Sequence, residues 1–86
     1  MEFEFDPKKS ATNEKKHGID FVAAQQLWKD TDAISFPAKS DDEERFALLA
    51  KLQTRVWVAF YTLRANRIRL ISVRRARPKE EAIYES

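Results

Sequence analysis

The 86-residue sequence contains no cysteine, one glycine and one histidine, and each shortage excludes a class of chemistry. Without cysteine there is no disulfide, no thiolate metal ligand and no cysteine nucleophile. A single glycine excludes a glycine-rich phosphate-binding loop, and a single histidine gives no basis for proposing a Ser-His-Asp triad. No segment approaches the ~20 apolar residues of a membrane-spanning helix, so we expect no membrane partner.

Length and composition predict one folded domain covering residues 1–86. Charged residues make up 35% of the chain and hydrophobic residues 43%, a balance typical of a globular protein. A core of this size leaves no room for a deep cofactor pocket, so we expect no cofactor and an active site on a shallow cleft or open sheet face. The N-terminal residues do not resemble a signal peptide, and we expect a cytoplasmic location.

Positive charge is concentrated near the C-terminal end of the chain. Seven cationic residues and no acid lie between Arg64 and Lys79, whereas the other residues hold nine Lys or Arg against fourteen Asp or Glu. Arginine binds phosphate bidentately and keeps its charge, so the cluster favours a polyanion, with RNA as the first candidate. Two alternatives stay open: a solvated face of an amphipathic strand, and a surface for DNA or an acidic protein.

Periodicity and turn residues predict an α+β fold with helices packed on a small antiparallel sheet. Asp6 is the predicted N-cap of the first helix, Gly18 its left-handed end and Asp20 the cap of the second. The predicted order is β-α-α-β-β-β-β-α: a strand at 1–5, a helix Pro7–His17, a helix fading near Lys29, a strand 33–36 ended by Pro37, strands Arg45–Leu52, Val56–Leu63 and Arg67–Val73, and a helix Pro78–Glu85.

Strand periodicity also predicts where side chains point. Both faces of Val56–Leu63 are largely apolar, which indicates a central strand covered on both sides. In the following strand we expect Arg67, Arg69, Ile71 and Val73 on one face, with Ile68, Leu70 and Ser72 on the other.

The run Lys15-Lys16-His17 precedes the only glycine and supplies the only histidine. Histidine is the side chain whose ordinary pKa lies near neutrality, so this run is a candidate for acid–base chemistry on a phosphodiester. The alternative is that these cations only complement the dipole at the end of a helix. The four acids at 41–44 suggest a metal site, but adjacent acids in a loop are usually solvated, and we expect no metal.

Several short motifs follow one another along the chain: Phe5-Asp6-Pro7, Lys9, Asn13, Lys16-His17-Gly18, Phe21, Asp42-Glu43-Glu44-Arg45-Phe46, Arg67-Ile68, Ile71-Ser72, Arg74-Arg75-Ala76, Glu81 and Tyr84-Glu85. Together, and in this order, they resemble the BrnT family of toxins. The resemblance implies a toxin of a bacterial type II toxin–antitoxin system, similar in fold to RelE-type ribonucleases, that cleaves RNA and inhibits translation. It also implies a BrnA-like antitoxin with a ribbon-helix-helix DNA-binding part, and contact with operator DNA only through the toxin–antitoxin complex.

The resemblance supports a catalytic set that lies in these motifs. Its members are Lys16, His17, Arg45, Arg74 and Arg75. A second set, predicted from charge alone, would position flanking phosphates: Lys15, Arg64, Arg67, Arg69 and Arg77. The rival hypothesis is a non-catalytic basic module that binds an acidic partner protein, or binds nucleic acid without cutting it.

Overall fold

The computed structural model describes residues 1–86 as one five-stranded sheet with helices against both faces. The predicted α+β class and the order β-α-α-β-β-β-β-α are confirmed, with a 3₁₀ helix continuing the second α-helix. The elements are β1 (Phe3–Glu4), α1 (Pro7–His17), α2 (Phe21–Ala24), the 3₁₀ helix (Gln25–Lys29), β2 (Ile34–Ala38), β3 (Arg45–Leu52), β4 (Arg55–Arg64), β5 (Arg67–Arg75) and α3 (Pro78–Glu85).

The caps of α1 and α2 are those predicted. The Asp6 carboxylate accepts the N–H of Lys8 at 2.9 Å, and Pro7 occupies the first helical position, where no N–H is needed. Gly18 ends α1 with φ 82°, in the left-handed region that glycine adopts without strain. Asp20 caps α2 through its side chain. Short-range chemistry therefore sets where α1 ends, and with it where His17 lies.

The strand order is β1-β5-β4-β3-β2, and two details differ from the prediction. β1 pairs with β5 in parallel, with Phe3 opposite Ile68, so the sheet is mixed and not antiparallel throughout. Alternation shows which side chains share a face but not the direction of a strand, and no short connection joins β1 to β5. The strand predicted to end at Pro37 runs on to Ala38, because β2 is an edge strand, where proline is tolerated.

The sheet has two unequal faces, which we define on the central strand β4. Trp57, Ala59 and Tyr61 lie on the first face, where they pack with α2 and the 3₁₀ helix in a core of twelve buried residues. Val58 and Phe60 lie on the second face, where the buried cluster has only three members and α3 packs against it. The predicted central position of this strand is confirmed. Much of the second face is therefore left for other roles.

A β-bulge interrupts the pairing of β4 with β5. Phe60 pairs with Ser72, whereas the next residue, Tyr61, pairs with Leu70. Ile71 is thus an extra residue on β5, and the alternation of its side chains is shifted by one position beyond that point.

The bulge overturns the predicted faces of β5. Val73 was expected to share a face with Arg67 and Arg69, but it is fully buried in the core of the first face. Ser72 was expected on the opposite face from the arginines, yet it pairs with Phe60 on the second face. Strict period two assumes an unbroken ladder, so it fails at a bulge. As a result Ser72 and Arg74 join the arginines on the second face.

Candidate functional site

Five of the arginines predicted to bind phosphate lie on the second face of the sheet. The register places Arg69 opposite Thr62 and Arg74 opposite Val58, both second-face residues of β4. We call this surface the arginine face; its arginines are Arg45, Arg64, Arg67, Arg69 and Arg74. Arg75 pairs with Trp57 and therefore lies on the first face. Arg74 and Arg75 thus do not approach a ligand from the same side.

The three arginines beside the β4–β5 hairpin are already paired with two acids, one in β1 and one just before it. The Glu4 carboxylate lies 3.0 Å from Arg69, 3.8 Å from Arg67 and 4.0 Å from Arg64. Glu2 lies 3.0 Å from Arg67. Two carboxylates therefore face three guanidinium groups, and the acid-free stretch of sequence is partly neutralised in the fold. The side chains of Arg64 and Arg67 remain 58% and 53% exposed, so they stay accessible to an anion.

Arg74 is held by the Glu80 carboxylate and by the Phe60 ring. Its Nη1 and Nη2 each donate to the Glu80 carboxylate at 2.8 Å, and its guanidinium carbon lies 5.4 Å from the centre of the Phe60 ring, a cation–π contact. Glu80 also accepts the backbone N–H of Arg77 at 2.7 Å. Hydrogen bonding from Arg74 lowers the pKa of Glu80 from 4.5 to about 2, and the same contact raises the pKa of Arg74. The pair is therefore charged and fixed at neutral pH.

The C-terminal turn of α1 and the bulged part of β5 border a small cavity that is open to solvent. Its volume is about 210 Å³, and Lys16, His17 and Ser72 are among its lining residues. Lys9, Thr12, Asn13 and Ile71 complete the wall. We call this space the α1–β5 cavity. It contains two of the predicted catalytic residues, both with exposed side chains.

The α1–β5 cavity and Arg74 have common neighbours. Ser72 lines the cavity and pairs across the sheet with Phe60, over whose ring Arg74 lies. Ser72 and Arg74 also lie on the same face of β5, two residues apart. The acid–base candidates on α1 and Arg74 on the arginine face are thus linked indirectly, through Ser72 and Phe60.

Two buried polar side chains fix α1 in this place. Nδ2 of Asn13 donates to the carbonyl oxygens of Ile19 at 2.8 Å and Val73 at 2.9 Å, and Oδ1 accepts the N–H of Val73 at 3.0 Å. β1 pairs only with the first part of β5, at Ile68 and Arg69. At Val73 the Asn13 amide makes the backbone hydrogen bonds that a neighbouring strand would otherwise make. Oγ of Ser10 accepts the N–H of Phe21 at 2.9 Å and joins α1 to α2. These bonds hold the Lys16–His17 turn against β5.

Three other predicted residues lie apart from the cavity. Arg45 is on β3, roughly 10 Å across the sheet and a further ~13 Å along it from Arg74, by standard strand spacings. Its side chain pairs with Glu43 at 3.4 Å. Lys15 and Arg77 are exposed and do not line the cavity. The structure therefore places Lys16 and His17 in the cavity wall and Arg74 two residues along β5 from the lining residue Ser72, whereas Arg45 lies on β3 and Arg75 on the opposite face of the sheet.

Sequence reasoning missed the acids that hold the arginines. Glu80 lies three residues after Arg77, the N-cap of α3, which is the spacing of a capping box and makes it identifiable in principle. Glu2 and Glu4 alternate with the same period as Arg67 and Arg69, but only the parallel pairing of β1 with β5 brings the two sets together.

The structure places no group of three or more His, Asp or Glu side chains where they could hold a metal ion. None of its helices has both the length and the apolar character needed to cross a membrane.

Comparison with known protein families supports the resemblance seen in the motifs. The family model described as "Ribonuclease toxin, BrnT, of type II toxin-antitoxin system" matches residues 5–80, which is most of the chain. Among curated proteins, none matches. The matched range includes α1, strands β2 to β5 and Glu80, and so covers the α1–β5 cavity and the arginines of the arginine face. The chain therefore belongs to the BrnT family of ribonuclease toxins of type II toxin–antitoxin systems.

Proposed function

We propose that this chain cleaves RNA without a metal ion at the α1–β5 cavity, and so inhibits translation. Family membership implies an RNA substrate and an antitoxin partner. The observation that carries the proposal is that Ser72, which lines the cavity with Lys16 and His17, pairs with Phe60, over whose ring Arg74 lies. Proton donors, proton acceptors and a fixed positive charge are the groups that this reaction needs from a protein.

In the proposed reaction the 2′-oxygen of the RNA forms a bond to phosphorus, and the bond from phosphorus to the 5′-oxygen breaks. A base takes the 2′-hydroxyl proton, and an acid gives a proton to the leaving 5′-oxygen. Lys16 and His17 are the candidates for these two roles, because both line the cavity. The products are a 2′,3′-cyclic phosphate and a free 5′-hydroxyl.

Arg74 is the proposed contact for the scissile phosphate. Negative charge on the phosphate oxygens grows in the transition state, and a fixed guanidinium stabilises that charge most effectively when it need not reorganise. Arg45 and Arg75 remain proposed members of the RNA-binding surface, although their positions favour contact with other nucleotides. Lys15, Arg64, Arg67, Arg69 and Arg77 are proposed to contact flanking phosphates through charge.

The finer features of the family are part of the same proposal. We expect a RelE-like fold, a cytoplasmic location and a BrnA-like antitoxin with a ribbon-helix-helix part. We expect operator DNA to be bound only by the toxin–antitoxin complex. The positive charge of the arginine face supports an acidic antitoxin segment as its partner, because this face would repel the basic DNA-binding part of the antitoxin.

One observation favours the alternative of a non-catalytic basic module. Arg69 and Arg74 each bind a carboxylate in the structure, at 3.0 and 2.8 Å. An acidic partner protein offers the same group, so these arginines would suit docking as well as RNA binding. The two functions differ in the fate of RNA, which a docking module leaves intact.

The test is cleavage of a defined RNA by the purified chain, with growth and total RNA followed in cells that express it. We expect His17→Ala to lower the cleavage rate about 10²–10⁴-fold, the usual contribution of general acid–base catalysis. The side chain is exposed, so the fold should survive. Lys8→Ala is the matched control, because it removes a cation from α1 outside the cavity.

Two further arms separate the parts of the proposal. Cleavage in excess EDTA is expected to continue, whereas loss on chelation and recovery with Mg²⁺ would contradict metal independence. An RNA with 2′-deoxyribose at the cut position should stay whole. A fully active His17→Ala protein removes His17 from the mechanism, and an intact RNA with folded wild-type protein favours the docking module.

A further inference from the structure

The guanidinium of Arg74 has five N–H donors, of which the structure uses three. Both Nη1 hydrogens are engaged, one by Glu80 and one by the carbonyl of Arg75 at 3.2 Å. One Nη2 hydrogen is engaged by the second Glu80 oxygen. The Nε–H and the other Nη2–H remain, and they point to the same side of the planar group. Together they form a second fork with the geometry that two oxygens of one phosphate accept.

We propose that Glu80 is a positioning residue that holds Arg74 with this second fork free for the scissile phosphate. The inference rests on the proposed function, since it assigns Arg74 to the phosphate of a cleaved RNA. It differs from a blocking role, in which Glu80 would occupy the position of the substrate.

The contacts around the pair oppose any rotation of the fork. Glu80 is tied to the start of α3 by the N–H of Arg77, and Arg74 lies over the Phe60 ring. Both side chains of the ion pair are largely covered, with 22% and 21% of their surfaces exposed. Because the low pKa of Glu80 keeps it ionised at neutral pH, the hold on Arg74 persists under assay conditions.

A matched control exists on the same helix. The Tyr84 hydroxyl donates to the Asp30 carboxylate at 2.5 Å, which anchors the far end of α3 without contact to Arg74. Tyr84→Phe therefore weakens the docking of α3 and leaves the Arg74–Glu80 pair in place. A role of Glu80 that consisted only of holding α3 would make the two variants behave alike.

The experiment measures kcat and KM for RNA cleavage by wild type, Glu80→Gln and Tyr84→Phe, with folding checked by circular dichroism. Glu80→Gln cannot make the two-oxygen ion pair, and we expect kcat to fall about 10–100-fold, the effect of a misplaced catalytic group. KM should change by no more than about threefold, because the lost interaction belongs to the transition state. Tyr84→Phe should keep a near-wild-type kcat.

A second comparison uses an Arg74→Lys background, which keeps the charge but removes the fork. If Glu80 acts through Arg74, Glu80→Gln causes no further loss there. A higher kcat in Glu80→Gln than in wild type would identify a blocking role. Equal losses of kcat in Glu80→Gln and Tyr84→Phe would identify a structural role, and a full loss of kcat from Glu80→Gln in the Arg74→Lys background would show that Glu80 acts through another group. Each of these three results overturns the inference about Glu80 but not the proposed function, whereas a folded wild-type protein that cleaves no RNA overturns the proposed function itself.

Discussion

Asn13 provides the sharpest test of how α1 is held against the sheet. Its side chain is 5% exposed and makes three hydrogen bonds, all to backbone groups of Ile19 and Val73. Asn13→Ala leaves two carbonyl oxygens and one N–H without partners in a buried place. The change is small in volume, so the effect on stability should come almost entirely from these polar groups.

The magnitude follows from the number of orphaned groups. A buried donor or acceptor left without a partner costs about 1–3 kcal/mol, so three of them amount to about 3–5 kcal/mol when relaxation is allowed for. Domains of this size are stable by about 5–15 kcal/mol, so the variant should be close to unfolding. Ser10→Ala removes a single hydrogen bond, to the N–H of Phe21, and should cost about 1–2 kcal/mol.

The assay is urea unfolding followed by tryptophan fluorescence, since Trp57 is buried and Trp28 packs beside Tyr61. We expect Asn13→Ala to lose at least twice the unfolding free energy lost by Ser10→Ala, with similar m-values. Asn13→Asp should be no better than alanine, because its carboxylate would face two carbonyl oxygens. A loss below about 1 kcal/mol for Asn13→Ala, within the range of a single ordinary hydrogen bond, would refute the reasoning.

Two further predictions concern charge and backbone. The hydrogen bond from Arg74 keeps the folded pKa of Glu80 at about 2 against an ordinary 4.5, so the ion pair stabilises the fold above pH 4.5 and loses this effect as the pH falls towards 2. At pH 7 we expect wild type to exceed Glu80→Gln in unfolding free energy by of order 1–3 kcal/mol, and this difference should shrink in acid. Urea unfolding of both proteins across this pH range measures it, and a difference in urea midpoints that does not change with pH would contradict the prediction. Gly18→Ala should cost about 1 kcal/mol in thermal unfolding, because φ is 82° while a Cβ meets no atom within 4 Å. A loss of several kcal/mol of unfolding free energy would mean that the added Cβ clashes with a neighbouring atom, which the structure does not show.

Local chemistry made much of the fold predictable. The bounds of α1 and α3, the three caps and the strand β3 follow from residues adjacent in sequence, and the structure has them as predicted. The direction of β1 and the bulge at Ile71 do not. Both depend on pairing between segments distant in the chain, which alternation of polar and apolar residues does not encode.

The members of the candidate site stay predictions, and their geometry could not be predicted from the sequence. The sequence singled out the Lys16–His17 turn and Arg74, and in the structure Lys16 and His17 line the cavity together with Ser72, two residues before Arg74. The strand pattern ended β5 at Val73, so nothing constrained the orientation of Arg74 and Arg75. Because the strand continues through Arg75, the two side chains point to opposite faces. Glu80 binds Arg74 only because the Arg74 side chain lies on the second face, where α3 packs, so the sequence pattern gave no reason to pair the two residues.

The unequal faces of the sheet explain how so short a chain keeps both a core and a charged surface. Twelve of its sixteen buried apolar residues belong to the core of the first face, so stability depends less on covering the second. α3 can then be held by a small apolar cluster and two polar contacts, one of which also fixes Arg74. The bulge at Ile71 moves Ser72 and Arg74 to that second face, where Ser72 lines the cavity beside the end of α1. One irregularity in one strand therefore joins the helix carrying the acid–base candidates to the face carrying the arginines.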